Sequence, residues 1–224
     1  MFDRLTSLIG KEMADKISNT KVLLIGIGGV GGYALEGLVR SGIKNITIVD
    51  YDIIDASNLN RQIITNCNNI GLSKVREASL RAKSINPNIN IKTIEEKVDC
   101  DNLVSIIDNN YDYVIDACDT TLVKFLLMKY RDIYGYKLIS SMGTAKKLNP
   151  EKLEITTLDK TSYDPLAKKL RSMLKKEKIN GKFFVVSSTE ESKDTGNVLG
   201  SIITVPAVAG LYLASYVINS IVNS

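Results

Sequence analysis

Short apolar runs alternate with longer amphipathic stretches over the first two thirds of the chain. The runs have the length of buried strands and lie at residues 22–25, 46–49, 89–94, 113–115 and 137–141. The stretches between them place apolar side chains at helical spacing over residues 30–41, 73–84, 101–108 and 120–134. This alternation is typical of an α/β fold with a doubly wound, mostly parallel, Rossmann-like sheet.

The residues before the first strand add one more helical pattern. Apolar side chains near helical spacing predict a single amphipathic helix over residues 4–18. Further along, we expect Asp101 to cap the helix that begins there. The asparagine-rich stretch 51–70 has no clear period, and a loop of this length in a compact domain is usually functional.

The pattern changes after Gly143. Residues 153–158 alternate like an antiparallel strand, and residues 183–187 form another strand-like run. Between them, Asp164 and Pro165 indicate the start of a helix, with Asp164 as its N-cap. We therefore expect added antiparallel strands in the C-terminal third of the sheet.

The last stretch of the chain, residues 198–222, is strongly apolar and carries no charge. Its length would allow a membrane span, so peripheral or single-pass membrane association stays open. Its small residues and Pro206 fit a helix packed on the sheet. We favour the packed helix, because the rest of the chain has the pattern of a soluble protein.

A glycine-rich turn joins the first strand to the helix that follows it. The segment from Gly26 to Gly31 matches the pattern G-x-G-x-x-G, and Asp50 ends the next strand. Glycines let the backbone approach a phosphate, a helix N-terminus attracts negative charge, and an acid after the second strand binds a ribose. The sequence therefore predicts a nucleotide site at Gly26, Gly28, Gly29, Gly31 and Asp50.

The composition narrows the chemistry of any site. The 224 residues include three cysteines and no histidine. Histidine bases, Ser-His-Asp triads and histidine metal ligands are excluded, so a metal must sit on oxygen ligands, which favours magnesium or an alkali ion. An odd number of cysteines without a C-x-x-C pair disfavours a disulfide framework or a four-cysteine zinc site, and it favours a cytoplasmic location.

Positive charge is concentrated in one part of the chain. Residues 146–182 contain eleven Lys or Arg against five Asp or Glu, whereas the net charge of the whole chain is +4. A solvated, lysine-rich helix is the simplest interpretation of this stretch. A basic face that binds a polyanion is the alternative.

Four polar residues follow strand-like segments and should collect at the carboxyl edge of the sheet, where ligands bind in such folds. They are Asn58, Arg61, Lys74 and Asp119. A dinucleotide needs little charge beyond the glycine turn, whereas a nucleoside triphosphate with magnesium needs cations and a carboxylate. Arg61 and Lys74 would supply the cations, and Asp119 the carboxylate. Each residue alone is a common surface residue, so only their joint placement has weight.

The segments that carry these residues resemble the adenylation domain of the ubiquitin-activating-enzyme superfamily. This group includes ThiF-type and HesA-type adenylyltransferases of molybdopterin and thiamin biosynthesis. The segments are GIGGVGGY, IVDYDIIDASNLNRQ, IGLSK and VIDACDT, all within residues 1–145. The resemblance implies nucleotide phosphates near Gly28 and Gly31, the ribose on Asp50, the triphosphate on Asn58, Arg61 and Lys74, and magnesium on Asp119.

The implied chemistry is activation of a carboxylate by ATP, which gives an acyl-adenylate and pyrophosphate. Charge stabilisation and positioning dominate such a reaction, which agrees with a chain that has no histidine. Arg4 resembles an N-terminal arginine that reaches the ATP of the neighbouring subunit in this family. The resemblance therefore implies a homodimer, and a catalytic set of Arg4, Arg61, Lys74 and Asp119.

The later half of the chain resembles one subfamily, the tRNA threonylcarbamoyladenosine dehydratases. The matching segments are LDKTSYDPLAKKLR, VVSSTE and VPAVAGL. Members use ATP to activate the threonyl carboxylate of a modified adenosine next to the anticodon, and then close it into a ring. Lysine and arginine supply most nonspecific affinity for nucleic-acid phosphates, so the resemblance gives the basic stretch a purpose. The candidate tRNA-binding residues are Lys168, Lys169, Arg171, Lys175 and Lys176.

The resemblance extends over nearly the whole chain. It implies a single adenylation domain over residues 1–224, in which a nucleotide-binding core (1–145) carries a substrate-side extension with the apolar C-terminal helix (146–224). ATP and Mg²⁺ are the expected cofactors, and a monovalent cation stays open. The expected partners are tRNA and a second copy of the chain, with no obligate membrane partner.

Two alternatives remain open from the sequence. One is an adenylyltransferase that acts on the C-terminal carboxylate of a ubiquitin-like sulfur-carrier protein. The chain lacks the C-x-x-C pairs of many such relatives and has no cysteine after Cys118, which disfavours sulfur transfer, although a cysteine desulfurase partner stays open. The other is an NAD-binding oxidoreductase, which would leave Arg61, Lys74 and Asp119 without a role.

Overall fold

The computed structural model describes residues 1–194, 196 and 200–224. Its strands are β1 (Lys21–Ile25), β2 (Asn45–Val49), β3 (Asn90–Ile94), β4 (Tyr113–Asp116), β5 (Lys137–Ser141), β6 (Leu153–Thr157) and β7 (Phe184–Ser188). Its helices are α1 (Asp3–Ile9), α2 (Lys11–Asn19), α3 (Gly31–Arg40), α4 (Lys74–Ile85), α5 (Leu103–Ile107), α6 (Thr121–Tyr134), α7 (Pro165–Lys176) and α8 (Thr204–Val222).

The strands form a seven-stranded sheet in the order β3-β2-β1-β4-β5-β7-β6. Neighbouring strands are parallel, except that β6 runs antiparallel to β7. This topology confirms the mostly parallel, Rossmann-like sheet and the antiparallel pairing in the C-terminal third. β7 itself joins β5 in parallel, so the extension continues the sheet of the core.

The sheet lies between two layers of helices. Alternate residues of each central strand face opposite layers: Val22 and Leu24 of β1 pack with α3, α4 and α8, whereas Leu23 and Ile25 pack with α5, α6 and α7. Both faces of the sheet are therefore covered, which explains why the strands appear in the sequence as unbroken apolar runs. Each fully buried aliphatic side chain contributes about 1.5–3 kcal/mol through removal from water.

The apolar C-terminal helix, α8, packs closely against α3. A Cβ atom on Gly37 would lie 2.8 Å from the Cβ atom of Ala214, so a glycine is needed where the two helices approach. Within the described residues, α8 is the one helix long and apolar enough to cross a membrane, and 44% of its apolar window is buried. Val198 and Leu199, which begin the apolar stretch, lie outside the described residues.

Two expectations about individual helices are wrong. The N-terminal pattern forms two helices, α1 and α2, because Gly10 between them adopts φ 82° and ψ 161°, which is not helical. Helix α5 begins at Leu103 with Asn102, not Asp101, at the N-cap position. The carboxylate of Asp99 accepts hydrogen bonds from the backbone N–H groups of Asp101 and Asn102, at 2.9 and 3.2 Å, and so organises this helix start.

Candidate functional site

A cavity of about 310 Å³ lies at the carboxyl ends of β1, β2 and β4. Ligands of doubly wound sheets bind at this edge, near the point where the strand order reverses, which here lies between β1 and β4. Eight of the predicted site residues line this one cavity: Gly26, Gly28, Gly29, Asp50, Asn58, Arg61, Lys74 and Asp119.

Glycine occupies three positions of the turn after β1 for different physical reasons. Gly26 has φ 91°, and a Cβ atom there would lie 2.7 Å from the carbonyl oxygen of Ala117. Gly31 begins α3 outside the cavity lining, and a Cβ atom there would collide with the carbonyl oxygen of Gly26. A Cβ atom on Gly28 would meet only Gln62 Nε2, at 4.0 Å. Close packing therefore requires Gly26 and Gly31, whereas Gly28 leaves open space in front of the backbone for a ligand.

Asp50 connects the end of β2 to the glycine turn. Its Oδ2 accepts a hydrogen bond from the backbone N–H of Ile27 at 2.6 Å, and its Oδ1 accepts one from the backbone N–H of Asp52 at 2.9 Å. These two bonds fix the carboxylate on the cavity wall, where Asp50 is half-buried. Each oxygen keeps a further acceptor position, so the fixed carboxylate can accept hydrogen bonds from ribose hydroxyls.

The long polar loop after β2 has a defined local structure. Asp55 Oδ1 accepts from the backbone N–H of Ser57 at 2.8 Å, and Asn58 Oδ1 accepts from the backbone N–H of Asp55 at 3.1 Å. This reciprocal cap holds the buried Asn58 side chain in place. The guanidinium of Arg61 donates from Nη1 to the carbonyl oxygen of Ser57 at 2.7 Å and to Asn60 Oδ1 at 3.1 Å.

Lys74 brings a second cation to the cavity. It is the first residue of α4, and its side chain is buried although it ends in an ammonium group. Its Nζ lies 2.6 Å from Oδ2 of Asp52, whose side chain is 45% exposed. Arg61 and Lys74 therefore present two positive charges to the same space, which suits a polyanionic ligand.

Asp119 supplies the only exposed acidic side chain among the predicted site residues of the cavity, at the wall after β4. Among the described residues, no group of three or more acidic, cysteine or histidine side chains could hold a metal by itself. A single carboxylate fits Mg²⁺, which proteins commonly hold through one or two carboxylates together with the phosphates of a substrate. The donor set thus fits a magnesium ion that binds together with a nucleotide.

A buried ion pair beneath the cavity was not predicted from the sequence. Asp116 and Lys124 are both fully buried, and Lys124 Nζ lies 3.0 and 3.1 Å from the two carboxylate oxygens of Asp116. The same ammonium donates to the carbonyl oxygen of Ser141 at 2.9 Å. Burial is the largest single influence and would lower the pKa of Lys124, but the charge and hydrogen bonds of Asp116, with smaller contributions from Cys118 and Asp119, together raise it. The feature of the sequence that could have indicated this ion pair is a lysine on the apolar face of α6.

Cys118 lies on the cavity wall but is poorly suited to act as a nucleophile. Burial, the charge of Asp116 and the hydrogen bond from Cys118 Sγ to Asp116 Oδ1 at 3.1 Å all raise the pKa of the thiol. A thiol that stays protonated at neutral pH is a weak nucleophile.

Gln62 is a cavity residue to which sequence reasoning assigned no role, although it ends the segment NLNRQ. It lines the cavity, is 6% exposed, and its Oε1 atom is buried without a hydrogen-bond partner in the described part of the chain. Buried amide oxygens usually have a partner, so a ligand in the cavity could supply one.

The predicted basic helix is α7, and Asp164 caps it as expected. Asp164 Oδ1 accepts from the backbone N–H of Ala167 at 2.9 Å, and its Oδ2 accepts from the backbone N–H of Gly143 at 2.8 Å. The N-terminus of α7 is thereby tied to the loop after β5, at the same edge of the sheet as the cavity. The exposed side chains of this helix include Lys168, Lys169, Lys175 and Lys176.

Arg171 differs from the four lysines of α7. It is half-buried, and its Nη1 donates to the carbonyl oxygens of Leu158 and Thr161, each at 3.1 Å, and to Thr161 Oγ1. These bonds fasten α7 to the segment after β6. The guanidinium of Arg171 is therefore already engaged within the protein.

Lys147 forms a second buried pair, beside the cap of α7. Its Nζ lies 3.9 Å from Oδ2 of Asp164, and within the described residues this nitrogen has no hydrogen-bond partner. Burial lowers the pKa of Lys147, and the charges of Asp164 and Glu190 oppose this effect only in part.

Arg4 is exposed on α1 and is absent from the cavity lining, so a single chain does not bring it to the site. The other predicted residues define a class of site: a glycine turn, the fixed carboxylate of Asp50, two cations and the exposed carboxylate of Asp119 line one cavity. A hydride-transfer site would not need this charge. The arrangement is that of an α/β domain that binds a nucleoside triphosphate.

Comparison with known proteins agrees with this class. The model of the ThiF family matches residues 2–224, and the chain belongs to that family.

Three relatives show how similar the sequence is to known proteins. The chain is 36% identical over 238 residues to the tRNA threonylcarbamoyladenosine dehydratase of Bacillus subtilis strain 168, with 97% of this chain and 92% of that protein covered. It is 35% identical over 170 residues to the protein of the same name from Escherichia coli K12. That alignment covers 76% of this chain and 63% of the relative, which is less than two thirds of its length. The adenylyltransferase and sulfurtransferase UBA4 of Vanderwaltozyma polyspora is 40% identical over 134 residues, but only 60% of this chain and 30% of that protein align.

Solved structures give the same result. The crystal structure of Escherichia coli tRNA N6-threonylcarbamoyladenosine dehydratase in complex with ATP superposes with a TM-score of 0.94 and 31% identity, over 99% of this chain and 93% of that one. The AMP complex of the same protein gives a TM-score of 0.93, with 99% and 94% covered. Escherichia coli MccB, at 20% identity and a TM-score of 0.68, shares the fold.

Proposed function

We propose that this chain is an ATP-dependent tRNA threonylcarbamoyladenosine dehydratase. It would activate the threonyl carboxylate of threonylcarbamoyladenosine in tRNA and close the activated group into a ring. The observation that supports this most is one cavity that joins the glycine turn, Asp50, Arg61, Lys74 and Asp119. This cavity lies in a fold that matches an ATP-bound dehydratase of that name over nearly its whole length.

Each cavity residue has a role in this proposal. The glycine turn and the N-terminus of α3 bind the phosphates through backbone N–H groups, since the first N–H groups of a helix have no partner within it. Asp50 binds the ribose, and Asn58, Arg61 and Lys74 bind the triphosphate. The two cations also stabilise the negative charge that develops on departing pyrophosphate. Asp119 would hold magnesium, which neutralises phosphate charge when bound.

The chemistry needs no nucleophile from the protein. A carboxylate oxygen of the substrate attacks the α-phosphorus, the bond to pyrophosphate breaks, and an acyl-adenylate forms. The carbamoyl group of the same nucleoside then attacks the acyl carbon and releases a proton, and the bond to AMP breaks. One carboxylate oxygen leaves with AMP, so the nucleoside loses the elements of one water. The raised pKa of the Cys118 thiol suits a reaction in which that thiol takes no part.

The proposal also gives roles to the basic helix α7 and to Arg4. The exposed lysines of α7 are proposed to bind phosphates of the tRNA, and Arg171 is proposed to act chiefly by holding α7 in place. A homodimer is proposed in which Arg4 reaches the site of the partner. The chain acts as one adenylation domain in the cytoplasm, where tRNA is found.

The test is incubation of the protein with ATP, magnesium and threonylcarbamoylated tRNA, followed by mass spectrometry of the nucleosides. We expect the modified nucleoside to lose the mass of one water in the presence of ATP, but not in the presence of an ATP analogue whose α,β-phosphate bond cannot be cleaved. An unchanged nucleoside, together with adenylation of the C-terminus of a ubiquitin-like carrier protein, would contradict the proposal and favour the second hypothesis. The variant Asp119→Ala is the matched control: it removes one cavity carboxylate, and with this variant the nucleoside should stay unchanged.

A further inference from the structure

The turn at residues 117–120 forms the cavity wall that faces the glycine turn. Its first residue is fixed on the strand side, because the backbone N–H of Ala117 donates to the carbonyl oxygen of Ile25 at 2.8 Å. The same residue is fixed on the turn side, since its carbonyl leaves no room for a Cβ atom on Gly26. The two walls of the cavity therefore touch, and a shift of one would displace the other.

Asp116 holds the next part of this turn. Its Oδ1 accepts hydrogen bonds from the backbone N–H of Cys118 at 3.3 Å and from the thiol of Cys118 at 3.1 Å. Asp116 is fully buried, so water cannot replace these bonds or compensate its charge. The compensation comes from Lys124, whose ammonium binds both carboxylate oxygens.

Lys124 also connects two strands. It lies on α6, and its ammonium reaches Asp116 at the end of β4 and the carbonyl oxygen of Ser141 at the end of β5. Three bonds of 2.9 to 3.1 Å meet at one nitrogen, which is the full donor capacity of a lysine. This arrangement holds the end of β4, the end of β5 and α6 at fixed distances.

Asp119 depends on this arrangement for its position. Its side chain is exposed, and the hydrogen bond it receives within the described residues is a long one, from Thr120 Oγ1 at 3.5 Å. We propose that Asp116 and Lys124 are positioning residues of the nucleotide site, which fix the turn at 117–120 and through it the carboxylate of Asp119. This inference rests on the proposed function of the cavity.

A positioning role and a purely structural role predict different results for nucleotide binding. If the Asp116–Lys124 pair only stabilises the fold, its loss should lower stability. The gain in nucleotide affinity that magnesium provides should then be unchanged. If it positions Asp119, its loss should reduce that gain specifically, because Asp119 is the residue assigned to the metal. Displacement of a reacting group by about 1 Å can cost about a hundredfold.

The experiment is calorimetric titration of the full-length protein with a non-hydrolysable ATP analogue, with and without magnesium. For Lys124→Met we expect the magnesium-dependent gain in affinity to fall by about tenfold to a hundredfold. Without magnesium, the affinity for the analogue should change by less than about threefold. Lys147→Met is the matched control, because it removes another buried lysine, one that does not line the cavity, and it should keep the gain.

The double variant Asp116→Asn with Lys124→Met provides a second measurement should Lys124→Met fail to fold. It removes both charges, while the side-chain oxygen of the asparagine can still accept from the backbone N–H of Cys118. We expect it to fold and to keep part, but not all, of the magnesium-dependent gain of the unaltered protein. Full retention of the gain in Lys124→Met or in the double variant, or an equal loss in Lys147→Met, would overturn the inference.

The same titration separates this inference from the proposed function. Absence of nucleotide binding by the unaltered protein would overturn the proposed function and this inference together. Normal binding by the unaltered protein, with normal magnesium dependence in Lys124→Met, would overturn the positioning role alone.

Discussion

Two buried lysine–aspartate pairs lie at the same edge of the sheet, and they differ in how completely the ammonium is compensated. Lys124 makes three close hydrogen bonds, to two oxygens of Asp116 and one carbonyl oxygen. Lys147 approaches Asp164 only to 3.9 Å and has no hydrogen-bond partner in the described part of the chain. The pKa of Lys124 is raised, whereas burial lowers the pKa of Lys147.

Burial of a lysine does not by itself make the residue important. The carboxylate of Asp164 is satisfied without Lys147, because the backbone N–H groups of Gly143 and Ala167 bind it. Asp116 has no comparable set of backbone donors among the described residues, and its charge depends on Lys124. The complete pair lies beneath the nucleotide cavity, where fixed geometry has chemical value, and the incomplete pair lies in the extension.

The largest effect on stability is expected for Lys124→Met. Removal of one partner leaves the carboxylate of Asp116 buried and uncompensated, which typically costs about 3–5 kcal/mol. Urea denaturation would measure this as a lower midpoint with an unchanged slope. A cost below about 1 kcal/mol, the usual value for an exposed ion pair, would contradict the description of this pair.

Removal of surface charge from the extension should change the affinity for tRNA and leave the stability of the fold nearly unchanged. We expect Lys168→Ala with Lys169→Ala to weaken tRNA binding and to lower the salt dependence of log Kd by about 0.7–0.9 for each phosphate that is no longer neutralised. Replacing Lys83 and Lys92, which are exposed on α4 and β3, is the control for an equal change in net charge. Equal salt slopes for the two double variants would place the RNA elsewhere.

A smaller effect is expected for Lys147→Met. The substitution removes a buried, poorly compensated charge and leaves Asp164 with its backbone donors, so stability should change by less than about 1 kcal/mol or increase. The same urea titration measures it beside Lys124→Met. A cost as large as that of Lys124→Met would show that the two pairs are equivalent.

The smallest effect is the opposite response of the two pairs to alkaline pH. The raised pKa of Lys124 means that its stabilisation is complete below 10.5 and is lost as the pH rises through the folded-state value. The lowered pKa of Lys147 means that its penalty is relieved as the pH rises toward 10.5, so stability relative to Lys147→Met should increase. Urea denaturation from neutral pH upward, in both variants, checks the two signs. Parallel pH profiles would contradict the assignment.

The sequence predicted the features that depend on local pattern. The buried strands follow from apolar runs, and the cap of α7 follows from Asp164 and Pro165. The placement of Arg61, Lys74 and Asp119 around one cavity follows from the rule that ligands bind at the carboxyl ends of parallel strands.

Features that depend on tertiary packing were beyond the sequence. Lys124 appears in the sequence as one more residue of an amphipathic helix, and only the packing of α6 on the sheet brings it to Asp116. Arg171 looks like the neighbouring lysines until the fold places backbone carbonyls around it. The apolar pattern places Gly10 inside a helix, because its positive φ is a property of the folded backbone and leaves no mark on that pattern.

The proposed reaction transfers AMP to a carboxylate of the tRNA substrate. The most direct measurement labels the threonyl carboxylate of the modified adenosine with ¹⁸O, and then analyses the released nucleotide by mass spectrometry. We predict AMP that carries one ¹⁸O atom on its phosphate, since the carboxylate oxygen leaves with AMP when the ring closes. Unlabelled AMP, or label in inorganic phosphate formed with ADP, would contradict this reaction.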